Sequence, residues 1–357
     1  MKKHLHIFIF LSLVILFISV FFNLSFQSQV HAATKYSKKP GWHKVSSKKY
    51  YYVKSNGKRA KKGWLKVKGR KYYINSSGYR CTGWKAIKKK TYYFNKKGVL
   101  QTKCFTPDGS YVDAKGVKLQ RSTLKTFLKS SLRPVGQTLY VWGGGWNKED
   151  TGAGVEAVTL GVSPQWKKFF DKNDSGYDYK KTRYQIHDGL DCSGYVGWAV
   201  YNAFNTSNGN EGYVMEEEET KAYSKRGWGK YSKAGSFTDF RAGDIMSSSE
   251  HVYIVLGQCK DGSVVLLHSS PPGVMICGTC TPDGKEKSQA AALAKKYMKK
   301  YYPEWYSRYG CITKGTGYLT NFSRMRWKTK GVSMMRDPDG YLDKTADEIL
   351  EDLLGPV

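Results

Sequence analysis

Asp191-Cys192-Ser193-Gly194 is the segment of this 357-residue chain with the clearest capacity for chemistry. Cysteine attacks as its thiolate, and the first turn of a helix lowers a thiol pKa through unpaired N–H groups and a positive dipole end. An amphipathic run from Cys192 to Phe204 follows directly, so the spacing predicts Cys192 at a helix N-terminus with Asp191 as its N-cap. Gly194 would let a substrate backbone approach closely. A buried structural cysteine is an equally common fate, and the tetrapeptide alone does not choose between them. Two histidines do. Ser249 to Gly257 places His251 at the head of an apolar strand, and Val264 to His268 places His268 at the end of the next. If Gly257 and Gly262 flank a four-residue loop, the two histidines lie directly opposite. If Asp261-Gly262 is a two-residue turn, they are offset by four residues. Either even offset keeps both on one face, because side chains alternate with period two, and catalysis predicts the first register. A base and an orienting partner beside a helix-borne cysteine is the arrangement nucleophilic catalysis uses.

The elements that must position these residues lie in the second half of the chain. Thr34 to Arg121 carries 26 Lys or Arg against two acids, Asp108 and Asp113, whereas the whole chain carries +30. One part is therefore a polycation and the other an ordinary domain. A polycation binds anionic polymers, nucleic acid among them. The N-terminus selects among these. Lys2 and Lys3, an apolar run from Leu5 to Phe22 and the Val30-His31-Ala32 site have the order of a secretory signal, predicted to span 1–32. An exported chain meets anionic wall polymers such as teichoic acid, not nucleic acid, and keeps no stable membrane insertion once the signal is removed. The run is also long enough to serve as an uncleaved anchor, and the cleavage site favours removal. Seven cysteines in an exported chain can form disulfides, and an odd count leaves at least one thiol unpaired within the chain. Cys277-x-x-Cys280 has no second pair at metal-ligand spacing. Structural disulfides are thus expected there, with Cys311 as a partner, and neither metal nor cofactor is expected.

Residues 41 to 102 repeat with periods of 22 and 20 residues, in units opening at Gly41-Trp42, Gly63-Trp64 and Gly83-Trp84. Each continues through a basic stretch into an aromatic cluster, Tyr50-Tyr51-Tyr52, Tyr72-Tyr73-Ile74 or Tyr92-Tyr93-Phe94, and closes at Gly57, Gly78 or Gly98. A degenerate fourth unit runs through Tyr111 and Gly116. Such units read as β-hairpins that must stack on neighbours to be stable. They resemble the cell-wall-binding repeats called choline-binding repeats. That resemblance implies wall attachment through Trp42, Trp64, Trp84, Tyr51, Tyr73 and Tyr93, with aromatic cages for a quaternary ammonium. The tryptophan that the family usually has just before Tyr-Tyr is replaced here by Lys49 or Tyr50, Lys71 and Thr91. The ligand class therefore stays open between anionic wall polymers and choline-like groups.

From about Gly136 to Ser270 the chain resembles the NlpC-type family of papain-like peptidoglycan endopeptidases. The matching motifs, in order, are Tyr140-Val141-Trp142-Gly143-Gly144, Asp191-Cys192-Ser193-Gly194, Arg241-Ala242-Gly243-Asp244-Ile245, and the pair His251 and His268. The resemblance implies that Cys192 attacks an amide, His251 activates it and His268 orients His251. It also implies that Tyr140 helps backbone N–H groups hold the oxyanion, and that Asp191 and Ser193 bind a free amine of the substrate. The implied substrate is the peptidoglycan stem peptide, cut between D-glutamate and a diamino acid. Long insertions at 146–190 and 271–315 depart from the family pattern. The first could form a substrate-shaping lid.

The expected architecture is α+β. It combines an N-terminal all-β hairpin-repeat solenoid (33–121), a linker (122–135) and a papain-like cysteine peptidase domain (136–357), whose nucleophile helix packs on an antiparallel sheet. The expected protein is a secreted wall hydrolase. The alternatives are a catalytically inactive wall-binding or adhesion protein and an N-acetylmuramoyl-L-alanine amidase.

Overall fold

The computed structural model describes residues 36–145, 156–183, 185–209 and 219–357, so the expected signal and part of the first insertion lie outside the described residues. The chain divides into two compact units, Met1–Cys81 and Thr82–Val357. This division falls inside the repeat array, not near the expected boundary at 121.

The first unit holds two antiparallel hairpins, β1 (Gly41–Lys44) with β2 (Tyr50–Val53) and β3 (Gly63–Val67) with β4 (Arg70–Ile74). Trp42 pairs with Tyr52, and Trp64 with Tyr73. The expected equivalence of Tyr51 with Tyr73 is therefore shifted by one, because the first hairpin has a longer loop. Gly57 and Gly78 take positive φ, as the turn closing each unit requires.

The second unit opens with the third hairpin, β5 (Gly83–Ile87) and β6 (Lys90–Phe94), in which Trp84 pairs with Tyr93. The degenerate fourth unit is a small sheet of β7 (Cys104–Phe105), β8 (Tyr111–Val112) and β9 (Lys118–Leu119). The chain then forms β10 (Ser122–Thr123) and helices α1 (Leu124–Ser131), α2 (Pro164–Lys172), α3 (Cys192–Phe204) and α4 (Glu219–Lys225). Strands β11 (Gly229–Ser232), β12 (Ile245–Ser247), β13 (Val252–Gln258), β14 (Val264–Ser270) and β15 (Gly273–Thr279) follow. After α5 (Gln289–Tyr301) and α6 (Pro303–Tyr309) come β16 (Thr313–Lys314), α7 (Gly317–Thr320), β17 (Ser323–Trp327), β18 (Met335–Arg336) and α8 (Ala346–Leu354).

Seven strands form one sheet in the order β11-β17-β12-β13-β14-β15-β16, antiparallel except for β15 with β16. Helix α3 packs on β13 and β14. Its side chains Tyr195, Val196, Trp198, Ala199, Val200 and Tyr201 are fully buried, as are Val264 to Leu267 of β14. The α3 stripe thus meets a strand apolar on both faces, the signature of a sheet covered on both sides. Helix α8 begins with the capping box that Thr345 and Glu348 predict.

Residues 122–135 are not a linker. Leu124, Phe127 and Leu128 are fully buried in the main core, and Ser122 pairs with Met335 across β10 and β18. The apolar stripe of α1 finds a partner in α3, where the Tyr195 hydroxyl donates to the Ser131 carbonyl at 2.8 Å. Ordered burial of that stripe excludes a free spacer.

The segment Arg241–Ile245 anchors β13. Asp244 is fully buried, and the Arg326 Nε and Nη2 atoms donate to its carboxylate at 2.9 and 2.7 Å. The Gly243 amide donates to the Val255 carbonyl at 2.8 Å, and the Val255 amide donates to the Asp244 carbonyl at 2.9 Å. Removing Arg326 leaves the buried Asp244 carboxylate with only the more distant Arg324, 3.8 Å away, to face it. Arg326→Met should therefore lower unfolding stability by about 3–5 kcal/mol in a denaturant titration. A loss under about 1 kcal/mol, the range of an exposed pair, would show that this ion pair does not hold the strand.

Candidate active site

The turn before α3 is fixed on three sides. The Asp191 Oδ1 accepts from the Gly194 amide at 2.6 Å and from the Ser193 hydroxyl at 3.0 Å, so Asp191 is the N-cap its position predicts. The Leu190 amide donates to the Leu139 carbonyl at 3.2 Å and the Asp191 amide to the Gly144 carbonyl at 3.0 Å. A Cβ on Gly194 would stand 2.0 Å from that Gly144 oxygen. The glycine thus makes room for the chain's own backbone, not for a substrate. The Ser269 hydroxyl donates to the Leu190 carbonyl at 2.6 Å and ties the end of β14 to this turn. Cys192 stands at the first helical position, half-buried.

The two histidines meet. His251 Nε2 lies 2.8 Å from His268 Nδ1. Their register is neither of the two expected. Ile254 pairs with Leu267 and Val255 with Leu266, but Gly257 pairs with Val265 across a bulge. The pairing near the histidines places His268 beside Tyr253, so the offset from His251 is two residues. An even offset preserves the shared face, and diagonal neighbours lie within reach of long side chains. His268 is fully buried, and its Nε2 has no hydrogen-bond partner.

Two phenols flank this arrangement. Tyr140 is nearly buried, and its pKa is raised first by burial and then by the charges of Cys192 and Asp191. Tyr318 was not visible as a site residue in the sequence. Its ring centroid is 5.7 Å from that of His251 and 6.0 Å from that of His268. Burial raises its pKa, with further contributions from Cys277 and Cys192. Both phenols therefore stay protonated and able to donate. Lys314 of β16 was also missed. Its Nζ lies 5.7 Å from the Tyr318 ring centroid, and it acts electrostatically on both histidines. Lys314 lies at the end of the second insertion and Tyr318 just beyond it, and no local motif marks either.

Two tyrosines of the first insertion pack against Tyr140. The Tyr177 hydroxyl donates to the Tyr140 carbonyl at 2.6 Å, and the Tyr179 ring stands edge-on to that of Tyr140 at 5.3 Å. The expected disulfides are absent: Cys277, Cys280 and Cys311 are free thiols. The Cys311 Sγ donates instead to the Ile276 carbonyl at 3.7 Å, and burial pushes the Cys277 thiol up to about 12. Among the described residues no three His, Cys, Asp or Glu side chains converge as a metal site, and no helix is long and apolar enough to cross a membrane.

In the repeats, Trp64 packs edge-on to Tyr73 at 5.3 Å and Trp84 to Tyr93 at 5.0 Å, while Trp42 contacts Tyr52 at 5.1 Å. Tyr51 instead stacks on His43 at 5.0 Å. Residues 41–58, 62–80 and 82–100 match the model of the putative cell wall binding repeat, so the chain carries repeats of that type. Among solved structures, choline binding protein F from Streptococcus pneumoniae is 31% identical over 24% of this chain and 29% of its own, with a TM-score of 0.22. The choline binding domain of another protein in Streptococcus pneumoniae is 30% identical over 23% of this chain and 96% of its own, with a TM-score of 0.21. The multimodular pneumococcal cell wall endolysin from phage Cp-1, complexed with choline, is 31% identical over 17% of this chain and 18% of its own, with a TM-score of 0.16. The chain thus spans less than a third of choline binding protein F. No curated protein matches the sequence.

Burial, with Lys314 adding to it, lowers the His251 pKa to about 3, and His268 is lowered in the same direction by burial, Lys314 and His251. Both imidazoles are therefore neutral at physiological pH. The unfolded chain takes up these protons near an ordinary histidine pKa of about 6.5, whereas the folded chain does not. Stability from this pair is complete above that pH and falls as the pH drops from it toward 3. Imidazole NMR should show neither ring titrating between about pH 8 and 5. A midpoint near 6.5 for either ring would refute the depressed values.

Proposed function

We propose that this chain is a secreted peptidoglycan hydrolase, held at the wall by its repeats, in which Cys192 is the nucleophile. The contact of His251 Nε2 with His268 Nδ1 at 2.8 Å, on strands packed against the helix that Cys192 opens, carries this reading. For His251 to act as base, its Nδ1 must be unprotonated and its Nε2 must carry the proton donated to His268 Nδ1. A neutral His251 suits that role. It takes the Cys192 proton as the sulfur attacks the amide carbonyl, so the resting state is a thiol beside an imidazole and not an ion pair. The proton then passes to the departing amine, leaving a thioester. His251 next takes a proton from water, whose oxygen attacks the thioester, and the thiol is restored with release of the carboxylic acid. The Cys192 amide in the first turn of α3 and the protonated Tyr140 phenol are suited to hold the oxyanion.

The substrate in this reading is a peptidoglycan stem peptide cut between D-glutamate and a diamino acid, a specificity that rests on the resemblance of the four ordered motifs. Asp191 and Ser193 remain the proposed contacts for a free amine, although Asp191 Oδ1 already serves the helix cap. The repeats supply attachment, with anionic wall polymers as the electrostatically matched partner of a segment that holds 26 basic and two acidic residues.

Cys192→Ala should abolish release of fragments from purified muropeptides while leaving sedimentation with cell walls unchanged. His268→Ala should lower kcat by about 10²–10⁴-fold, the worth of a correctly held base. Mass spectrometry of the wild-type digest separates the two bonds: fragments cut after D-glutamate support the endopeptidase, and release of intact stem peptides from muramic acid would make the protein an amidase. Full activity in Cys192→Ala would remove the thiol mechanism altogether.

A further inference from the structure

Two arginines occupy the same place in successive repeats. Arg59 bridges Val53, and Arg80 bridges Ile74. The Arg59 guanidinium carbon lies 4.1 Å from the Tyr36 ring centroid, 4.7 Å from that of Tyr79 and 4.9 Å from that of Tyr51. Its Nη2 donates to the carbonyls of Gly78 at 3.0 Å and Ser77 at 3.2 Å. The Arg80 guanidinium carbon lies 3.9 Å from the Tyr50 ring centroid and 5.7 Å from that of Trp42. Thr34 to Cys81 contains no Asp or Glu, so no carboxylate of that stretch competes for either guanidinium. Three ring faces converging on one cation is the geometry by which proteins recognise quaternary ammonium groups. Here the cation belongs to the chain.

We propose that the aromatic clusters around Arg59 and Arg80 are ammonium-type sites filled by the protein's own guanidinium groups, so that these repeats admit choline only when the arginine is removed. The occupant is covalently tethered, and an intramolecular ligand competes at an effective concentration of about millimolar or more. Free choline must displace it and also break the two carbonyl hydrogen bonds of Arg59. A quaternary ammonium has no N–H with which to replace those bonds. Pairing with a phosphate would draw the guanidinium off the rings, so the lysines carry the electrostatic attraction to anionic polymers and leave the rings engaged. The same position in the third repeat is Leu100, which bridges Phe94 and brings no charge. The inference does not depend on the chemistry of Cys192.

The test is a choline chloride titration of the full chain, followed by calorimetry and by melting temperature. The wild type should show no saturable heat and no rise in Tm. Arg59→Ala/Arg80→Ala should melt lower, bind choline at least about tenfold more tightly than the wild type, and regain Tm as choline is added. Saturable choline binding by the wild type overturns the proposal. So does a folded double variant that choline neither binds nor stabilises. If the double variant does not fold, the single variants Arg59→Gln and Arg80→Gln are read by the same two measurements, and the wild-type titration stands regardless.

Discussion

The Asp191 carboxylate decides where α3 begins, and most of the candidate site depends on that start. Its Oδ1 holds the Gly194 amide at 2.6 Å, and its own amide is held by the Gly144 carbonyl at 3.0 Å. The first bond stops the chain from running one residue further into the turn. The second brings the Tyr140–Gly145 segment against the turn so closely that only glycine fits at 194. Cys192 and Tyr140 are therefore brought into electrostatic contact by the same backbone constraint. The Ser269 hydroxyl on the Leu190 carbonyl extends it to β14, and so to His268. Three sequence-distant segments share one fixed point, a geometry that preorganised catalysis requires.

Electrostatics then follows from burial. Among the described residues no acidic side chain pairs with His251 or His268. They face each other, with Tyr318 at their edges and Lys314 as the nearby cation. A papain-like arrangement could rest with a charged imidazolium beside a thiolate. Here burial and a lysine of the same sign both disfavour that charge. The reaction proposed for this site must therefore generate its thiolate during attack. The buried, protonated phenols of Tyr140 and Tyr318 complete an environment rich in donors, suited to negative charge that develops late.

How much of this was legible depends on how local each signal is. The limits of α3, Cys192 to Phe204, follow from one cap residue and one apolar stripe. The box at Thr345 and Glu348 is equally local. The shared face of His251 and His268 was readable because alternation survives any even shift, but the bulge between Val255 and Gly257 was not, and it set the actual offset. The equivalence of Trp42 with Tyr52 depended on the longer loop of the first hairpin. Tyr318 and Lys314 reach the histidines only through the path of α5, α6 and β16, which no short motif encodes. Residues 122–135 looked like a spacer because their apolar face reads as modest until α3 is there to cover it.

The repeats face a different constraint. Thr34 to Cys81, dense in lysine and arginine, contains no Asp or Glu, so charge there must be managed by hydration, carbonyls and ring faces. Lysines on the strands can keep their ammonium groups in water. A cation held between repeats cannot, and there the stiff, weakly hydrated guanidinium is better suited than an ammonium, because its faces stack on tyrosine while its edges donate to carbonyls. Arg59 does both at once, with Tyr36, Tyr51 and Tyr79 on its faces and Ser77 and Gly78 at its edge. The same contacts that join one repeat to the next thereby consume the aromatic surface that an external cation would need. Cohesion of the array and affinity for such a ligand become competing uses of the same rings.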